Sequence, residues 1–222
     1  MRHIVLDTET TGLSPEAGHR IVEIGCLELM GYVATGKEFH RYVNPGREVP
    51  AEALAIHGLN GEFLSRHPRF GEVAEAFLAF LEDSPLVIHN AEFDVRFINA
   101  ELESLGRAPI PLARAIDTAE MARSRYPGAP ANLDALCRRF GIDTSGRALH
   151  GALKDAKLLA QVYLELVGGR QPGLELAAGN GEAAAAPGAR RSRRPRAHAP
   201  TAEEEAAHAR FIERLREPIW RA

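Results

Sequence analysis

The chain has 222 residues, of which 45% are hydrophobic and 26% are charged, a composition typical of an ordinary globular protein. That composition excludes a wholly disordered chain, a coiled coil and a collagen-like fibre, and no apolar stretch reaches the length of about 18 residues that a membrane span needs. The net charge of -3 gives no overall basic excess to attract nucleic acid. The two cysteines, Cys26 and Cys137, lack metal-ligand spacing, and the chain shows no secretory apolar segment, so we expect a cytoplasmic protein.

Residues 1–168 alternate between predicted strands and predicted helices. Apolar stretches bounded by turn residues predict strands at 4–8, 20–29, 37–43, 85–89 and 115–117. Helical spacing of apolar residues predicts helices at 70–81, 94–105, 118–125, 132–140 and 151–167. The first three strands are separated by Gly-containing turns, which favours antiparallel hairpins, and the later strands alternate with helices. The pattern predicts an α/β domain with a mixed sheet.

The segment 177–200 differs from the rest of the chain. It carries five Arg and one Glu, and it has no bulky apolar residue. Such a segment cannot bury enough surface to offset its ordering entropy, which predicts a disordered linker. The Arg cluster at 190–196 fits either a solubilising linker or weak contact with phosphates.

A short helix is predicted after this linker, within 201–222. Thr201 and Glu204 have the spacing of a capping box, and Pro218 would end the helix. The segment has no core of its own, so docking into a partner is favoured over folding back onto the domain. Its apolar candidates for contact are Phe211, Leu215 and Trp220.

Five polar residues occupy strand ends or helix starts, where α/β domains place their sites. Asp7 and Glu9 lie two positions apart at the end of the first predicted strand, so their side chains share one face. Asp94 follows the fourth strand, and His150 and Asp155 lie near the start of the last helix of the domain. Carboxylates with one histidine and no cysteine suit a hard divalent cation, Mg²⁺ or Mn²⁺.

Spacing alone does not establish a metal site. The composition predicts about four pairs of carboxylates two residues apart by chance, and the chain contains four. Taken singly, Asp94 fits a helix N-cap, His150 a surface or capping histidine, and Asp155 a solvated helix residue. Two carboxylates that flank an apolar strand are costly unless they are paired or bind a metal, which favours the pair Asp7 and Glu9.

Three motifs in order resemble those of the DEDDh exonucleases, the His-containing subgroup of the DEDD superfamily. They are VLDTETTG at 5–12, LVIHNAEFD at 86–94 and LHGALKDA at 149–156. The resemblance extends to GHRIVEIG at 18–25, IHGL at 56–59 and NLDALC at 132–137, and so covers essentially all of 1–168. It implies a ribonuclease H-like fold and a 3′→5′ exonuclease that proofreads mispaired primer termini during DNA replication.

The resemblance also implies the role of each catalytic residue. Asp7 would bridge two divalent cations, Glu9 and Asp155 would complete the site of the first, and Asp94 would hold the second through water. His150 would be the general base that takes a proton from the attacking water. The pKa of an unperturbed histidine, about 6.5, suits that role.

Other matched positions imply contacts with the 3′ end of DNA. The residues that would line a pocket for the terminal nucleotide are Thr8, Thr10, Gly12, His57 and Asn90. Gly12 also fits a simple turn. Asp117 matches no catalytic motif, and we interpret it as the cap of helix 118–125.

Two segments beyond the domain resemble partner-binding peptides of replicative proofreading exonucleases. The tail 201–222, with Phe211, Leu215 and Trp220, is similar to a tail that binds the polymerase subunit. The segment 169–176 resembles a sliding-clamp-binding peptide through Gln171, Leu174 and Leu176. Two alternatives remain open: a freestanding exonuclease that acts on RNA or short oligonucleotides, and a catalytically silent scaffold between polymerase and clamp.

Overall fold

A computed structural model describes residues 1–145, 149–168 and 199–214. The chain divides into two units, Met1–Leu174 and Glu175–Ala222. The predicted partner-binding residues Gln171, Leu174, Leu176, Leu215 and Trp220 lie outside the described residues, as do the segment 169–176 and nearly all of the predicted linker. No helix in the described part of the chain is long and apolar enough to cross a membrane.

The first unit is built on a five-stranded mixed sheet. Its strands are β1 (Arg2–Thr10), β2 (Ile21–Met30), β3 (Val33–Tyr42), β4 (Leu86–Ile88) and β5 (Ala115–Asp117). Their order is β3-β2-β1-β4-β5, with antiparallel pairing among the first three and parallel pairing from β1 to β4 and from β4 to β5. The predicted hairpins and the predicted mixed sheet are therefore confirmed.

Helices cover both faces of this sheet. They are α1 (Ala51–His57), α2 (Gly61–Leu64), α3 (Phe70–Leu81), α4 (Ala91–Ser104), α5 (Thr118–Arg125), α6 (Leu133–Phe140) and α7 (Ala152–Leu166). Alternate residues of β1 enter different cores, because successive side chains of a strand point to opposite faces. Ile4 and Leu6 pack in one core with α3 and α4, and Val5 packs in the other with α6 and α7.

The prediction for the start of α4 was wrong. The helix begins at Ala91, so Asp94 lies within its first turn and is not its N-cap. The sequence pattern also missed α1 and α2, which have seven and four residues, because helices so short contain fewer than two full apolar periods.

The second unit contains helix α8 (Ala202–Glu213). The predicted capping box is confirmed: the Thr201 hydroxyl accepts from the Glu204 backbone N–H, and the Glu204 carboxylate accepts from the Thr201 backbone N–H at 2.8 Å. The helix ends five residues before Pro218, the predicted stop. The side chain of Phe211, a predicted contact residue, is 56% exposed.

Candidate active site

The carboxyl end of β1 brings together side chains from both faces of the sheet. Asp7 and Glu9 continue the face of β1 that packs against α7, and Thr8 continues the face that packs against α4. Asp155 lies in the first turn of α7, and Asp94 lies in the first turn of α4. The sheet therefore ends between two helix N-terminal turns, each of which carries one of the predicted carboxylates.

Gly25 on β2 allows α7 to approach the sheet closely. It pairs in register with Asp7, and a Cβ built on it would lie 2.2 Å from the Leu153 nitrogen and 2.3 Å from the Ala152 carbonyl carbon. No side chain fits in that space, so the start of α7 lies directly on the strand backbone. Gly25 is not among the site residues predicted from the sequence.

The start of α7 carries a histidine–aspartate pair. Nδ1 of His150 lies 3.1 Å from Oδ2 of Asp155, and the His150 side chain is 46% exposed while the Asp155 side chain is buried. The backbone N–H of His150 donates to the Ile56 carbonyl at 3.1 Å, which ties this segment to α1. Glu9, His150 and Asp155 each offer a ligand atom, and these three atoms lie within 4.8 Å of one another.

Asp94 is buried and is held by β1. Its Oδ1 accepts from the Thr8 backbone N–H at 2.9 Å and from the Thr8 hydroxyl at 2.7 Å. Burial raises the pKa of Asp94 to about 7, although the hydrogen bonds from Thr8 favour the ionised form and oppose that rise. Thr8, which the resemblance assigns to the substrate pocket, thus also anchors the carboxylate of Asp94, a candidate catalytic residue.

Asp7 lies at the electrostatic centre of the cluster. Its pKa is raised well above the usual aspartate range, first by burial and then by the negative charges of Asp94, Glu9 and Asp155. When like charges raise the pKa of a carboxylate, a bound cation that neutralises those charges stabilises its ionised form. Oxygen ligands with one imidazole match Mg²⁺ or Mn²⁺, so the donor set fits the predicted divalent cations.

A cavity of about 570 Å³ opens beside these carboxylates. The predicted residues Thr8, Thr10 and Gly12 line it, together with Glu9. Other residues that line it were not predicted from the sequence as pocket residues: His19, Phe93 and, on α1, Ala53 and Ile56.

Gly12 is required by a close packing contact. A Cβ at residue 12 would lie 2.4 Å from two atoms of the His19 ring, and His19 Nδ1 is 3.1 Å from the Thr11 hydroxyl. The backbone of Gly12 does not have a positive φ angle, so its conformation does not itself require glycine, whereas a side chain at residue 12 would fit only if His19 moved.

The other two predicted pocket residues lie on α1 and at the start of α4. His57 is buried, its Nδ1 accepts from the Leu59 backbone N–H at 3.0 Å, and burial lowers its pKa. Asn90 is exposed and adopts the left-handed conformation with φ 65° at the start of α4. Asp117 caps α5 as predicted, since its carboxylate accepts from the backbone N–H groups of Ala119 and Glu120.

Known proteins are similar to this chain in sequence. A family model described as Exonuclease matches residues 4–163. The chain therefore belongs to the exonuclease family, and the predicted enzyme class, a 3′→5′ exonuclease, is confirmed.

Within the family, the curated relatives are named DNA polymerase III subunit epsilon. The relative from Rickettsia felis is 58% identical over 179 residues, which cover 79% of this chain and 78% of the relative. The relative from Escherichia coli is 46% identical over 177 residues, which cover 76% of this chain and 72% of the relative.

Solved structures share the fold. Exonuclease X in complex with 5′ overhanging duplex DNA matches with a TM-score of 0.59 and 24% identity, over 75% of this chain and 91% of that one. The nuclease domain of 3′hExo, a DEDDh family member bound to rAMP, matches with a TM-score of 0.64 and 19% identity, over 75% of this chain and 92% of that one. The predicted ribonuclease H-like class is confirmed.

Proposed function

We propose that this chain removes mispaired nucleotides from the 3′ ends of DNA primers as the proofreading subunit of DNA polymerase III. The proposal is carried by the convergence of four carboxylates and one histidine at the end of β1, beside a cavity. It is supported by 58% identity to a relative named DNA polymerase III subunit epsilon.

The four carboxylates are the proposed ligands of two divalent cations, Mg²⁺ or Mn²⁺. Asp7 is central because its carboxylate is influenced by all three others, namely Glu9, Asp94 and Asp155. The buried Asp94 is fixed by two hydrogen bonds from Thr8, so it would contribute an oriented oxygen. When bound, the cations would stabilise the negative charge that develops on the scissile phosphate.

His150 is the proposed general base. Donation from Nδ1–H to the Asp155 carboxylate at 3.1 Å would leave the lone pair of the imidazole on Nε2. The half-exposed ring is accessible to the attacking water, whose proton passes to Nε2 as its oxygen bonds to phosphorus. The bond from phosphorus to the 3′ oxygen of the shortened strand breaks, this oxygen takes up a proton from solvent, and a nucleoside monophosphate leaves.

The cavity is the proposed site of the terminal nucleotide. The segment from Thr10 to Gly12, which His19 contacts, and residues of α1 line it. We propose that His57 and Asn90 support the same pocket. Selection of mispaired ends requires no base readout, because a mismatched end separates from its template at a lower free-energy cost.

The two C-terminal segments are proposed to tether the enzyme to its partners. The tail 201–222 would bind the alpha subunit of DNA polymerase III through Phe211, Leu215 and Trp220, and 169–176 would bind the beta sliding clamp through Gln171, Leu174 and Leu176. Tethering raises the effective concentration of the exonuclease at the primer.

Changing one residue of the tail tests this tether. In the full chain, Phe211→Ala should weaken co-elution with the alpha subunit and leave hydrolysis of a free primer unchanged, whereas His208→Ala on the same helix should change neither. Equal co-elution of the Phe211→Ala and wild-type chains would contradict the role of Phe211.

The decisive experiment compares release of nucleotides from 3′-labelled DNA primers with paired and mispaired ends, in Mg²⁺ and in Mn²⁺. We expect faster release from the mispaired end, and we expect Asp7→Ala to abolish it, while Asp83→Ala, a change of an exposed aspartate, retains it. No Asp7-dependent release from either DNA would reject proofreading, and release from RNA alone would favour the freestanding enzyme.

A second variant tests the general base. His150→Ala should lower the hydrolysis rate by about a hundredfold or more and should lower Mn²⁺ affinity much less. A matched loss of Mn²⁺ affinity would show that His150 acts as a ligand.

A further inference from the structure

The carboxylate of Asp117 holds the N-terminal ends of two helices. Its Oδ1 accepts from the backbone N–H groups of Ala119 at 2.8 Å and Glu120 at 3.3 Å, and these bonds cap α5. The same side chain reaches the neighbouring helix, where Oδ1 accepts from Asn90 N–H and Oδ2 accepts from Ala91 N–H, each at 3.1 Å. Asp117 therefore links α5 to the start of α4.

Helix α4 depends on this external acceptor. Asn90 occupies its N-cap position, and within the described part of the chain the Asn90 side chain makes no capping hydrogen bond. Asn90 also has φ 65° and ψ 58°, a left-handed conformation that costs free energy for a residue other than glycine. The Asp117 carboxylate accepts from the backbone N–H groups of Asn90 and Ala91, which would otherwise bond to solvent, and these bonds hold Asn90 in this conformation.

The first turn of α4 is consequently held from two sides. Asp117 on β5 binds its beginning, at Asn90 and Ala91, and Thr8 on β1 binds the carboxylate of Asp94 three residues later. If the contact with Asp117 or the contact with Thr8 were lost, the first turn of α4, which carries Asp94, would be held by only one strand.

We propose that Asp117 is a positioning residue of the exonuclease, which fixes the first turn of α4 and thereby the Asp94 carboxylate. This inference rests on the proposed role of Asp94 as a cation ligand. Asp117 acts through Asp94 and Asn90, and it needs no contact with the substrate.

The two carboxylate oxygens of Asp117 accept different numbers of hydrogen bonds, and this difference predicts which substitution has the larger effect. Oδ1 accepts three of the four hydrogen bonds, and Oδ2 accepts the bond from Ala91 alone. Asp117→Asn can keep Oδ1 in place and lose the bond from Ala91. Asp117→Ser can still cap α5, because serine is a good N-cap, but its single hydroxyl is too short to bridge to α4 as well.

A matched control removes a helix cap elsewhere. Asn132 caps α6, where its Oδ1 accepts from the Ala135 backbone N–H at 2.8 Å. Helix α6 carries none of the candidate catalytic residues, so Asn132→Ala lowers stability without releasing α4.

The test uses the full chain, at a temperature at which every variant is folded. For Asp117→Ser we expect kcat on a mispaired primer to fall about tenfold or more, and Mn²⁺ affinity, measured by electron paramagnetic resonance, to fall with it. Hydrogen exchange should accelerate at the amides of Asn90 and Ala91. Asp117→Asn should lie between Asp117→Ser and wild type, and Asn132→Ala should keep the wild-type kcat and Mn²⁺ affinity.

Two outcomes would overturn the inference. One is an Asp117→Ser enzyme with wild-type kcat and Mn²⁺ affinity, and the other is an equal loss of both in Asn132→Ala. Asp94→Asn is assayed in parallel: if it is inactive while Asp117→Ser is fully active, the positioning role alone is rejected. An active Asp94→Asn enzyme would instead reject the proposed role of Asp94, and the positioning role with it.

Discussion

Asp7 on β1 and Gly25 on β2 pair in register, and the backbone at the start of α7 occupies the space that a side chain at residue 25 would need. This contact is between backbones, so it sets how closely α7 approaches the sheet. Asp155 lies in the same first turn, and its carboxylate lies near those of Asp7 and Glu9. The glycine on a neighbouring strand thus determines whether the carboxylates of β1 and α7 meet.

Gly25→Ala should impair the enzyme although it changes none of the proposed catalytic side chains. The added methyl group would overlap the backbone of Ala152 and Leu153, and relief by a shift of α7 would move Asp155 and His150 together. We expect a loss of about 1–3 kcal/mol in the free energy of unfolding, typical of overpacking, and a fall in kcat larger than the rise in KM. Urea unfolding and primer hydrolysis measure the two effects.

Gly61→Ala is the control for this substitution. It is also a glycine-to-alanine change, but the space around residue 61 is open, so stability and kcat should stay near wild type. A fully active Gly25→Ala enzyme would show that α7 tolerates displacement from the sheet.

Asp7→Asn should inactivate the enzyme and stabilise its metal-free form. The pKa of Asp7 is raised in the folded protein, so its ionisation costs stability at every pH above the range in which an unfolded aspartate titrates, about 3.9. The neutral amide removes this cost, and we expect a gain of about 1–2 kcal/mol near pH 8 that disappears below about pH 4. Thermal unfolding in EDTA across this pH range measures the gain.

Asp83→Asn is the matched control, because Asp83 is exposed. The Asp83→Asn protein should not show the pH-dependent gain in stability expected for Asp7→Asn. Added Mn²⁺ should stabilise the wild-type chain more than Asp7→Asn, since a ligand that binds only the folded state raises its stability. A less stable Asp7→Asn protein in EDTA would mean that repulsion among the carboxylates is not a net cost.

The sequence predicted the strands and the longer helices because their burial follows a simple period. β1 alternates between two cores, and α3 and α7 each bury one apolar face, patterns that are visible in the order of the residues alone. The helix α1 was missed although it forms one wall of the cavity, since seven residues contain less than two full apolar periods. The start of α4 was misplaced because its cap comes from Asp117, 26 residues farther along the chain than Ala91.

The charged residues of the candidate site could be predicted from the sequence, whereas the contacts that position them could not. Asp7, Glu9, Asp94, His150 and Asp155 were found because they lie in motifs of contiguous sequence. The residues that place them act by geometry: Gly25 through the absence of a side chain, and Thr8 through a hydrogen bond to a distant helix. Both residues lie in the quoted segments 5–12 and 18–25, but the contacts that give them these supporting roles exist only once the strands are in register.

Thr8→Val should make cation binding more sensitive to acid. Asp94 has a pKa of about 7, and the hydroxyl of Thr8 favours its ionised form. Loss of that hydrogen bond raises the pKa further, so the carboxylate requires a higher pH to ionise and bind a cation. We expect the pH midpoint of Mn²⁺ binding to rise by about 1, since a hydrogen bond to a charged group contributes about 1.5–3 kcal/mol.

Thr8→Ser keeps the hydroxyl and should keep the wild-type midpoint. Mn²⁺ titrations between about pH 6 and pH 9 cover the expected change around the pKa of Asp94. Identical midpoints for Thr8→Val and Thr8→Ser would show that the hydroxyl of Thr8 does not influence the ionisation of Asp94.

Glu28 provides a pH-dependent contribution to stability away from the site. Its carboxylate lies in β2, where it accepts from Arg2 Nε at 2.6 Å and from the Thr35 hydroxyl at 2.9 Å, and Lys37 Nζ is 3.3 Å away. These partners lower the pKa of Glu28 to about 2. The stabilisation is therefore complete above the pKa of an unfolded glutamate, about 4.3, and is lost as the pH falls from there toward the folded value.

Glu28→Gln should lower the free energy of unfolding by about 1–3 kcal/mol near pH 7, because a buried, charge-assisted hydrogen-bond cluster loses its charge. The difference from wild type should shrink steadily below about pH 4.5, where the wild-type carboxyl begins to bind a proton in the unfolded chain. Urea unfolding at a series of pH values measures this trend, and Glu75→Gln, at an exposed position, should show a much smaller difference throughout. A difference that stays constant from pH 7 to the acid limit of folding would assign the effect of Glu28 to packing, since packing does not titrate.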